Sequence, residues 1–367
     1  MKYDFLIVGA GLYGASAARV LTDRGARCLI IDRRAHIAGN AYTEDAGGVT
    51  VHRYGAHIFH TDDEEVWAFV SRFARMNGYT HRVQAEYGGR RYALPFSMHT
   101  FHAMWGVGTP EAAQAVIAAQ RGEIGGEPQN LEEQAVALVG RDVYERLIRG
   151  YTEKQWGRPC RELPPEIIRR IPCRFTWDDR FFSDAHQGVP EDGYTQMIAR
   201  MLEGIDVRLS CDYRQLTERE PGIARRVIYS GCIDEFFDYR LGALAYRSLR
   251  FETEILDRAD YQGMAVVNHT AGGVPYTRVI EHRHFTPERP AAGHTVVTRE
   301  YPQAWQPGLE PYYPVGDKEN TQLYAAYKAL AKARPDVHFG GRLGAYRYID
   351  MDEAVRAALD DAAALWG

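Results

Sequence analysis

The pattern of apolar and polar positions is most regular at the start of the chain. Residues 3–8 form an apolar run rich in strand-forming side chains, and a GxGxxG turn follows at 9–14. Small and apolar residues at helical spacing come next, and a second apolar run, 28–31, ends at Asp32. This order of strand, glycine turn, helix, strand and acid predicts a dinucleotide-binding βαβ unit, because a helix N-terminus favours a pyrophosphate.

The glycines of this turn have separate expected roles. Gly9 allows the tight turn, Gly11 lets a pyrophosphate approach the bare backbone, and Gly14 lets the helix pack closely on the strand. The carboxylate of Asp32 is expected to accept hydrogen bonds from an adenosine ribose. The charged Asp4 and the glycines interrupt the apolar run, so the run does not predict a secretory signal.

Helical patterns dominate the next part of the chain. Apolar residues recur at helical spacing in 142–154, and Asn130 with Glu133 predicts the start of another helix. Runs of alternating apolar and polar residues then predict an antiparallel sheet with one solvated face. These runs are 249–255, 264–270, 276–285 and 294–301.

The predicted elements indicate an α/β fold of the multidomain α+β kind, with three domains. A strand at 337–339 and a helix at 351–365 return to the first domain near the end of the sequence. The expected boundaries are 1–76, 203–243 and 315–367 for a Rossmann-like nucleotide-binding domain, 77–180 for a mostly helical domain, and 181–202 with 244–314 for an antiparallel β-sheet domain.

Composition and charge exclude several classes of function. The 367 residues have a formal net charge of −5 and no basic block interleaved with aromatics, so nucleic acid is not an expected partner. No apolar run approaches the ~18 residues that predict a membrane-spanning helix. The five cysteines are scattered and never at CxxC spacing, which favours a reducing compartment and argues against a metal site. We therefore expect a cytoplasmic protein without membrane insertion.

Five blocks of sequence, in this order along the chain, resemble the UDP-galactopyranose mutase family. The blocks are 54–61 (YGAHIFHT), 150–157 (GYTEKQWG), 274–282 (VPYTRVIEH), 310–314 (EPYYP) and 340–352 (GGRLGAYRYIDMD). The resemblance covers nearly the whole chain, and five blocks in order are far more specific than a glycine turn. It implies that the nucleotide-binding domain holds FAD, and that the helical domain contributes to substrate binding and dimerisation.

The resemblance implies an isomerase, a flavin-dependent mutase that interconverts UDP-galactopyranose and UDP-galactofuranose with no net redox. In the family, N5 of reduced FAD attacks the anomeric carbon and displaces UDP, and the sugar opens as a flavin–sugar iminium before it recloses. The resemblance also implies a homodimer. An external reductant such as NAD(P)H or a reductase is expected to keep the flavin reduced, because the sequence shows one dinucleotide fingerprint and no second.

The resemblance implies four catalytic residues. Arg170 and Arg278 are expected to clamp the diphosphate, because a guanidinium can form two hydrogen bonds to phosphate where a lysine is a point charge. His57 and His60 are expected in a loop against the flavin. Their spacing could suit a metal, but no third ligand lies nearby in the sequence, so a metal is not expected. Arg342 is expected to favour a reduced, anionic flavin.

Further contacts follow from the same resemblance. Tyr313 and Tyr348 would donate to the phosphates, with Tyr312 as an alternate, and Thr152 and Trp156 share a helix face at the uridine end. The implied substrate-binding residues are His81, Tyr151, Thr152, Trp156, Phe175, Phe181, Asn268, Tyr312, Tyr313, Tyr348 and Asp350. The implied cofactor-binding residues are Gly9, Gly11, Leu12, Gly14, Asp32, Arg33, Gly39, Asn40, His57, Arg342, Tyr348, Asp350 and Met351.

Two positions depart from the family pattern. Ala56 stands where the family usually has proline, so we expect a less rigid loop before His57. Phe181 stands where a tyrosine usually contacts the diphosphate, and loss of that hydrogen bond would cost ~1 kcal/mol.

Three alternatives stay open: a related mutase for UDP-N-acetylgalactosamine or a dTDP-6-deoxyhexose, a conventional FAD oxidoreductase, and a non-catalytic nucleotide-binding protein.

Overall fold

The computed structural model describes residues 1–122, 124, 126–169, 171–289 and 293–366, which form sixteen strands and fourteen α-helices. The strands are β1 (Tyr3–Val8), β2 (Cys28–Ile31), β3 (Thr43–Ala46), β4 (Val49–His52), β5 (Phe59–Thr61), β6 (Val83–Tyr87), β7 (Arg90–Leu94), β8 (His186–Gly188), β9 (Asp206–Arg208), β10 (Ala224–Tyr229), β11 (Tyr246–Leu256), β12 (Val266–His269), β13 (Arg278–Glu281), β14 (Thr295–Ala304), β15 (Tyr313–Pro314) and β16 (Val337–Phe339).

The helices are α1 (Leu12–Asp23), α2 (Glu64–Ser71), α3 (Met98–Trp105), α4 (Pro110–Arg121), α5 (Leu131–Val139), α6 (Arg141–Val143), α7 (Arg149–Trp156), α8 (Glu166–Arg169), α9 (Tyr194–Met201), α10 (Tyr213–Arg219), α11 (Ile233–Phe236), α12 (Lys318–Ala331), α13 (Gly341–Gly344) and α14 (Met351–Trp366). A π-helical turn, Tyr144–Ile148, precedes α7, and 3₁₀ turns occur at Gly39–Ala41, Cys160–Glu162 and His282–Phe285. In the described part of the chain, no helix has both the length and the apolar character needed to cross a membrane.

A five-stranded parallel sheet confirms the predicted Rossmann-like unit. Its strand order is β16-β10-β1-β2-β9. The strand β2 is buried at every position, because α1 and α14 pack over one face of the sheet and α10 covers the other. On the second face, Leu216 of α10 packs with Leu6 and Leu29. The sheet takes strands from all three segments predicted for this domain.

The close approach of α1 to the end of β1 requires glycine at two positions, one in the turn and one in the first turn of the helix. Gly9 has a φ of +106°, and a Cβ there would lie 2.2 Å from the hydroxyl oxygen of Ser230. A Cβ on Gly14 would lie 1.9 Å from the carbonyl oxygen of Gly9. The helix can therefore begin close to the end of the strand only with these residues.

A second sheet has seven strands in the order β15-β11-β14-β13-β12-β6-β7. Its strand pairs are antiparallel except for the parallel pair of β12 and β6. The four predicted alternating runs are confirmed as β11 to β14. The third run ends earlier than predicted, because His282–Phe285 leave the strand as a 3₁₀ turn.

The predicted helical domain at 77–180 is wrong over its first part, because 83–94 form the hairpin of β6 and β7. Gly88 and Gly89 join these strands with positive φ angles of 61° and 77°, which is the conformation of a tight hairpin turn. The strand β6 then pairs with β12 of the second sheet. The helices of this segment begin only at α3. The predicted start of α5 is confirmed, since Asn130 Oδ1 accepts from the backbone N–H of Glu133 at 3.0 Å.

Two buried histidines connect β4 to the second sheet. The backbone N–H of His52 donates to Nδ1 of His282 at 3.2 Å, and Nε2 of His282 donates to Oγ1 of Thr298 at 2.8 Å. His52 also stacks on Phe285, with ring centroids 4.6 Å apart. Burial lowers the pKa of His282 to about 3 and holds the pKa of His52 well below its ordinary value. Both imidazoles are therefore neutral in the folded protein.

The neutral histidines predict a loss of stability in acid. In the unfolded chain a histidine has a pKa of about 6.5, so below that pH the unfolded state binds more protons and the free energy of unfolding falls. His282→Gln should reduce this pH dependence by about one proton, or about 1.4 kcal/mol per pH unit, between pH 6.5 and 4. Urea unfolding at several pH values measures the effect.

Phe285→Leu is the matched control for that prediction. It removes packing from the same buried cluster without removing a titrating group, so it should lower stability while keeping the wild-type pH dependence. An unchanged pH dependence in His282→Gln would show that His282 does not contribute to acid unfolding.

Candidate active site

A cleft opens at the carboxyl ends of the parallel strands, where nucleotides bind in folds of this kind. It lies between the turns that follow β1, β2 and β16. The structure brings every predicted cofactor-binding residue except Tyr348 to this cleft, namely Gly9, Gly11, Leu12, Gly14, Asp32, Arg33, Gly39, Asn40, His57, Arg342, Asp350 and Met351. Tyr348 lies beside it, with its ring centroid 5.2 Å from the guanidinium of Arg342.

Asp32 is nearly buried at the end of β2. Its Oδ2 accepts from the backbone N–H of Ala10 at 2.9 Å, and its Oδ1 accepts from the backbone N–H of Arg34 at 2.9 Å. These bonds fix the carboxylate between the glycine turn and the loop after β2, and each oxygen keeps a further lone pair. This geometry fits a carboxylate that accepts hydrogen bonds from ribose hydroxyls.

Bare backbone forms the next part of the cleft. A Cβ on Gly11 would meet nothing nearer than Cα of Gly39 at 3.7 Å, and Gly39 itself has a φ of +52°. Among the described residues, no side chain caps the N-terminus of α1. The open N–H groups and the positive end of the helix dipole therefore fit a pyrophosphate.

His57 lies in the cleft and is held as a neutral hydrogen-bond acceptor. Its Nδ1 donates to the carbonyl of Gly55 at 2.8 Å, so its Nε2 carries a lone pair. Its backbone N–H donates to Nδ1 of His52 at 3.2 Å. Burial lowers the pKa of His57 to about 4, and the guanidinium groups of Arg342 and Arg278 act in the same direction. At neutral pH the ring offers Nε2 as an acceptor near two cations.

Arg342 is fixed beside the cleft by backbone acceptors. Its Nη2 donates to the carbonyl of Ile349 at 2.8 Å. Asp350 lies just before α14, where its backbone N–H donates to the carboxylate of Glu353 at 2.8 Å, and burial raises the pKa of Asp350. A positive charge near His57 and close to the start of a helix would suit an anionic ring.

Arg278 stands at the centre of a second group of residues, and its side chain is 25% exposed. Its Nη2 donates to Oη of Tyr151 at 2.9 Å, and its Nε lies 3.7 Å from Oε1 of Glu300, directly across on β14. On the other side of Arg278, the strand β12 places Asn268 opposite it in register. The buried Oδ1 of Asn268 has no hydrogen-bond partner within the described residues. Burial opposes the charge, yet Glu300, Tyr151 and Tyr313 together raise the pKa of Arg278 well above its ordinary value.

Of the predicted tyrosine pair, Tyr313 is the member that lies next to Tyr348. Their ring centroids are 5.6 Å apart, whereas Tyr312 packs edge-on against Phe251 at 5.8 Å. Burial raises the pKa of Tyr313 well above its ordinary value, so its phenol remains protonated and can donate. Tyr313 also raises the pKa of Arg278, so its phenol lies near that guanidinium, and Tyr348 lies between Tyr313 and Arg342.

The predicted residues His60, His81 and Phe181 form one aromatic group around Phe182. The ring of His60 stacks on Phe182 at 3.6 Å, and the ring of His81 lies 5.6 Å from Phe182. Phe181 packs edge-on against His81 at 5.5 Å. Burial, followed by the nearby charge of Arg278, lowers the pKa of His81 to about 3. This aromatic group therefore borders the Arg278 group.

Other predicted substrate contacts are placed by packing. Thr152 is buried on α7, Trp156 packs against the main hydrophobic core, and Phe175 stacks on Phe101 with ring centroids 5.5 Å apart. Their roles toward a substrate stay predictions. Arg170 lies outside the described residues, so of the two predicted diphosphate arginines only Arg278 is described.

Two acidic residues of the site were not predicted from the sequence. Glu300 is 2% exposed and faces Arg278, while Oδ2 of Asp184 lies 3.3 Å from Nδ1 of His60. Glu300 occupies one position of an alternating strand, and only the pairing of β13 with β14 shows its partner. No sequence signal distinguishes Asp184, because its contact with His60 is made across a long intervening stretch.

Known proteins are similar to this chain over most of its length. The profile of the UDP-galactopyranose mutase family matches residues 146–348, and a profile for NAD(P)-binding Rossmann-like domains matches residues 7–73. A probable UDP-galactopyranose mutase from Klebsiella pneumoniae is 41% identical over 362 residues, which is 98% of this chain and 94% of that protein. A dTDP-fucopyranose mutase from Escherichia coli is 38% identical over 363 residues, which is 97% of this chain and 96% of that protein.

A solved structure shares the fold. The crystal structure of a reduced UDP-galactopyranose mutase superposes with a TM-score of 0.80 and 14% sequence identity, over 100% of this chain and 96% of that chain. At such low identity the likeness shows the fold alone. The profile match and the identity to the Klebsiella protein confirm the resemblance of the five sequence blocks, and the chain belongs to the UDP-galactopyranose mutase family.

Proposed function

We propose that this flavin-dependent isomerase interconverts UDP-galactopyranose and UDP-galactofuranose without net redox, with FAD in its reduced form. The observation that supports this most is that two groups of residues lie near each other. Arg278, a permanent cation, lies near His57, and His57 lines the cofactor cleft. A site suited to a diphosphate therefore adjoins a site suited to a flavin ring, and family membership supports both ligands.

The cleft matches FAD at three chemically different places. Asp32 offers acceptors for a ribose, the backbone at Gly11 is open to a pyrophosphate, and Arg342 supplies a fixed positive charge for the ring end. Reduced FAD bound in this cleft would supply a nucleophile, its N5 nitrogen, for covalent catalysis. The protein binds and orients the reactants around that nucleophile.

Arg278 would retain the diphosphate while the sugar is detached from it. Its guanidinium is charged at every working pH, and Tyr151 and Glu300 align it before a substrate arrives. The phenols of Tyr313 and Tyr348 add donors on the same side. Donors that are fixed in advance stabilise the charge that develops on a leaving diphosphate, because they need no reorganisation.

His57 and His81 would act as neutral groups. The pKa values of His57 and His81, about 4 and about 3, keep both rings uncharged at neutral pH. Nε2 of His57 can accept a hydrogen bond from an N–H group in the cleft. Weakly basic neighbours favour recapture of the sugar by the retained nucleotide over attack by an activated water.

A dTDP-linked 6-deoxyhexose is the alternative substrate. The Escherichia coli relative is named dTDP-fucopyranose mutase, and it covers nearly all of this chain. In addition, Phe181 packs on His81 and offers no hydroxyl. UDP-galactose ranks first because the family profile and the Klebsiella relative carry that name.

We also propose that the protein works as a cytoplasmic homodimer with an external reductant such as NAD(P)H or a reductase. All five cysteines are unpaired, which agrees with a reducing compartment. The homodimer and the reductant are supported by the family resemblance, and the roles of the individual site residues are proposals on the same basis.

Arg278→Ala should lower kcat/KM of the reduced enzyme by about a hundredfold or more, because the diphosphate loses a donor aligned before the reaction. The FAD content should stay at the wild-type level, since Arg278 does not line the cofactor cleft. Turnover of UDP-galactofuranose is followed by HPLC, and the flavin-to-protein ratio by absorbance.

Arg299→Ala is the matched control on the neighbouring strand. Arg299 stands across from Val279 and pairs with Glu254 at 3.1 Å, so its removal should leave turnover near the wild-type value. If the two variants turned over equally fast, Arg278 would have no place in the diphosphate site.

The reaction itself is tested with dithionite-reduced protein, given UDP-galactofuranose and dTDP-fucofuranose in parallel. We expect the pyranose product from the UDP sugar with the higher kcat/KM, and no turnover when the flavin is oxidised. Oxygen and NAD(P)H should not be consumed in proportion to product. A higher kcat/KM for the dTDP sugar would favour the alternative substrate, and stoichiometric consumption of an acceptor would indicate an oxidoreductase.

A further inference from the structure

Lys154 is half-buried on α7, and its ammonium group lies in a ring of backbone carbonyls. The four oxygens belong to the last residue of β12 and to the turn that joins β12 to β13. The acceptors, at 2.7–3.1 Å from Nζ, are the carbonyl oxygens of His269, Ala271, Val274 and Tyr276. An ammonium has three N–H groups, so four acceptors at these distances use its whole hydrogen-bonding capacity.

The same turn touches the helical segment through its backbone. A Cβ on Gly150 would lie 2.3 Å from the carbonyl oxygen of Thr270, and Oγ1 of Thr270 donates to the carbonyl of Arg146 at 2.6 Å. The middle of the turn, 272–273, is glycine with open space around it. Few side chains hold the shape of this turn, so the ammonium of Lys154 is its central interaction.

Residues of the proposed substrate site stand at both ends of the turn. Asn268 lies on β12 just before it, and Arg278 opens β13 just after it. On the helix, Tyr151 is three residues before Lys154 and shares its face. The hydrogen bond of 2.9 Å between Arg278 and Tyr151 therefore spans the two elements that Lys154 joins.

We propose that Lys154 is a positioning residue that locks the β12–β13 turn onto α7 and so sets Arg278 against Tyr151. This inference deepens the proposed function and rests on it. Lys154 does not itself bind the diphosphate. If its ammonium turned toward a phosphate, four convergent carbonyl groups would be left without their donor in a half-buried position.

The residue type fits this role. The chain has 44 basic residues, and only five of them are lysine. A compact ammonium can direct its N–H groups to converging carbonyls, whereas a planar guanidinium holds its donors in a fixed fork. Burial lowers the pKa of Lys154 to about 8, with the charge of Glu86 opposing the change, so the ammonium form predominates at pH 7.

Two substitutions separate the charge of Lys154 from its geometry. Lys154→Met keeps the reach of the side chain without the charge, and Lys154→Arg keeps the charge without the ammonium geometry. Both should lower kcat/KM by at least about tenfold, since a misplacement of ~1 Å can reduce catalysis by ~10². Both holoproteins should retain FAD, because Lys154 does not line the cofactor cleft.

Lys328→Met is the control and should keep wild-type kinetics, because Lys328 is exposed on α12. Wild-type activity in Lys154→Arg would overturn the proposal, since charge alone would then be sufficient. Wild-type activity in Lys154→Met would overturn it as well.

Binding of UDP to the oxidised holoprotein tests whether Lys154 acts through Arg278, and it needs no turnover. Lys154→Met should weaken UDP binding by about tenfold in the wild-type background, and by less than about twofold in Arg278→Ala, where no guanidinium remains to be misplaced. An equal effect in both backgrounds would show a general structural role and would overturn the proposal.

Chemical rescue guards against a variant that merely folds poorly. Lys154→Ala leaves the carbonyl ring without its cation, so methylammonium chloride should restore part of the UDP affinity, and sodium chloride of equal ionic strength should not. Absence of rescue in a folded, FAD-loaded variant would count against the ammonium ring. A wild-type protein that binds UDP without isomerising UDP-galactofuranose would refute the proposed function, and the UDP measurements would still decide the role of Lys154.

Discussion

The site depends on the guanidinium of Arg278, which stays charged although it is partly buried. Arg278 receives a carboxylate from one neighbouring strand and a phenol from a helix. A partly buried cation is stable only when such partners reach it together. The helix, the sheet and the turn before Arg278 must therefore keep their relative positions, which gives the contacts of Lys154 a purpose beyond local packing.

The two sheets bind with different chemistry. The parallel sheet presents main-chain groups at its carboxyl edge, with one carboxylate, Asp32, and glycines that leave room for a ligand. The second sheet presents side chains, among them Arg278 on its central strand. His57 and Arg342 stand where the two meet.

Local patterns in the sequence were sufficient to predict the parts of the fold that depend on neighbouring residues. These parts are the glycine turn with Asp32, the alternating strands and the start of α5 at Asn130. All of them were found in the structure. The hairpin at 83–94 was missed because its strands are short and its partner, β12, is far along the chain. Glu300 was missed for the same reason, since only strand register places it opposite Arg278. The role of Lys154 depends on four carbonyl directions, which side-chain patterns do not encode.

The strand orders have a consequence for how this chain is made. In the parallel sheet β1 lies between β2 and β10, and in the second sheet β6 pairs with β12. Neither sheet can therefore be completed until segments from the later part of the sequence are present. Pairings between distant segments are slow to form, and unpaired edges attract other chains. During synthesis the ribosome must release more than half of the chain before β1 gains its second neighbour. We expect the nascent protein to rely on chaperones for that interval more than a protein built from local hairpins would.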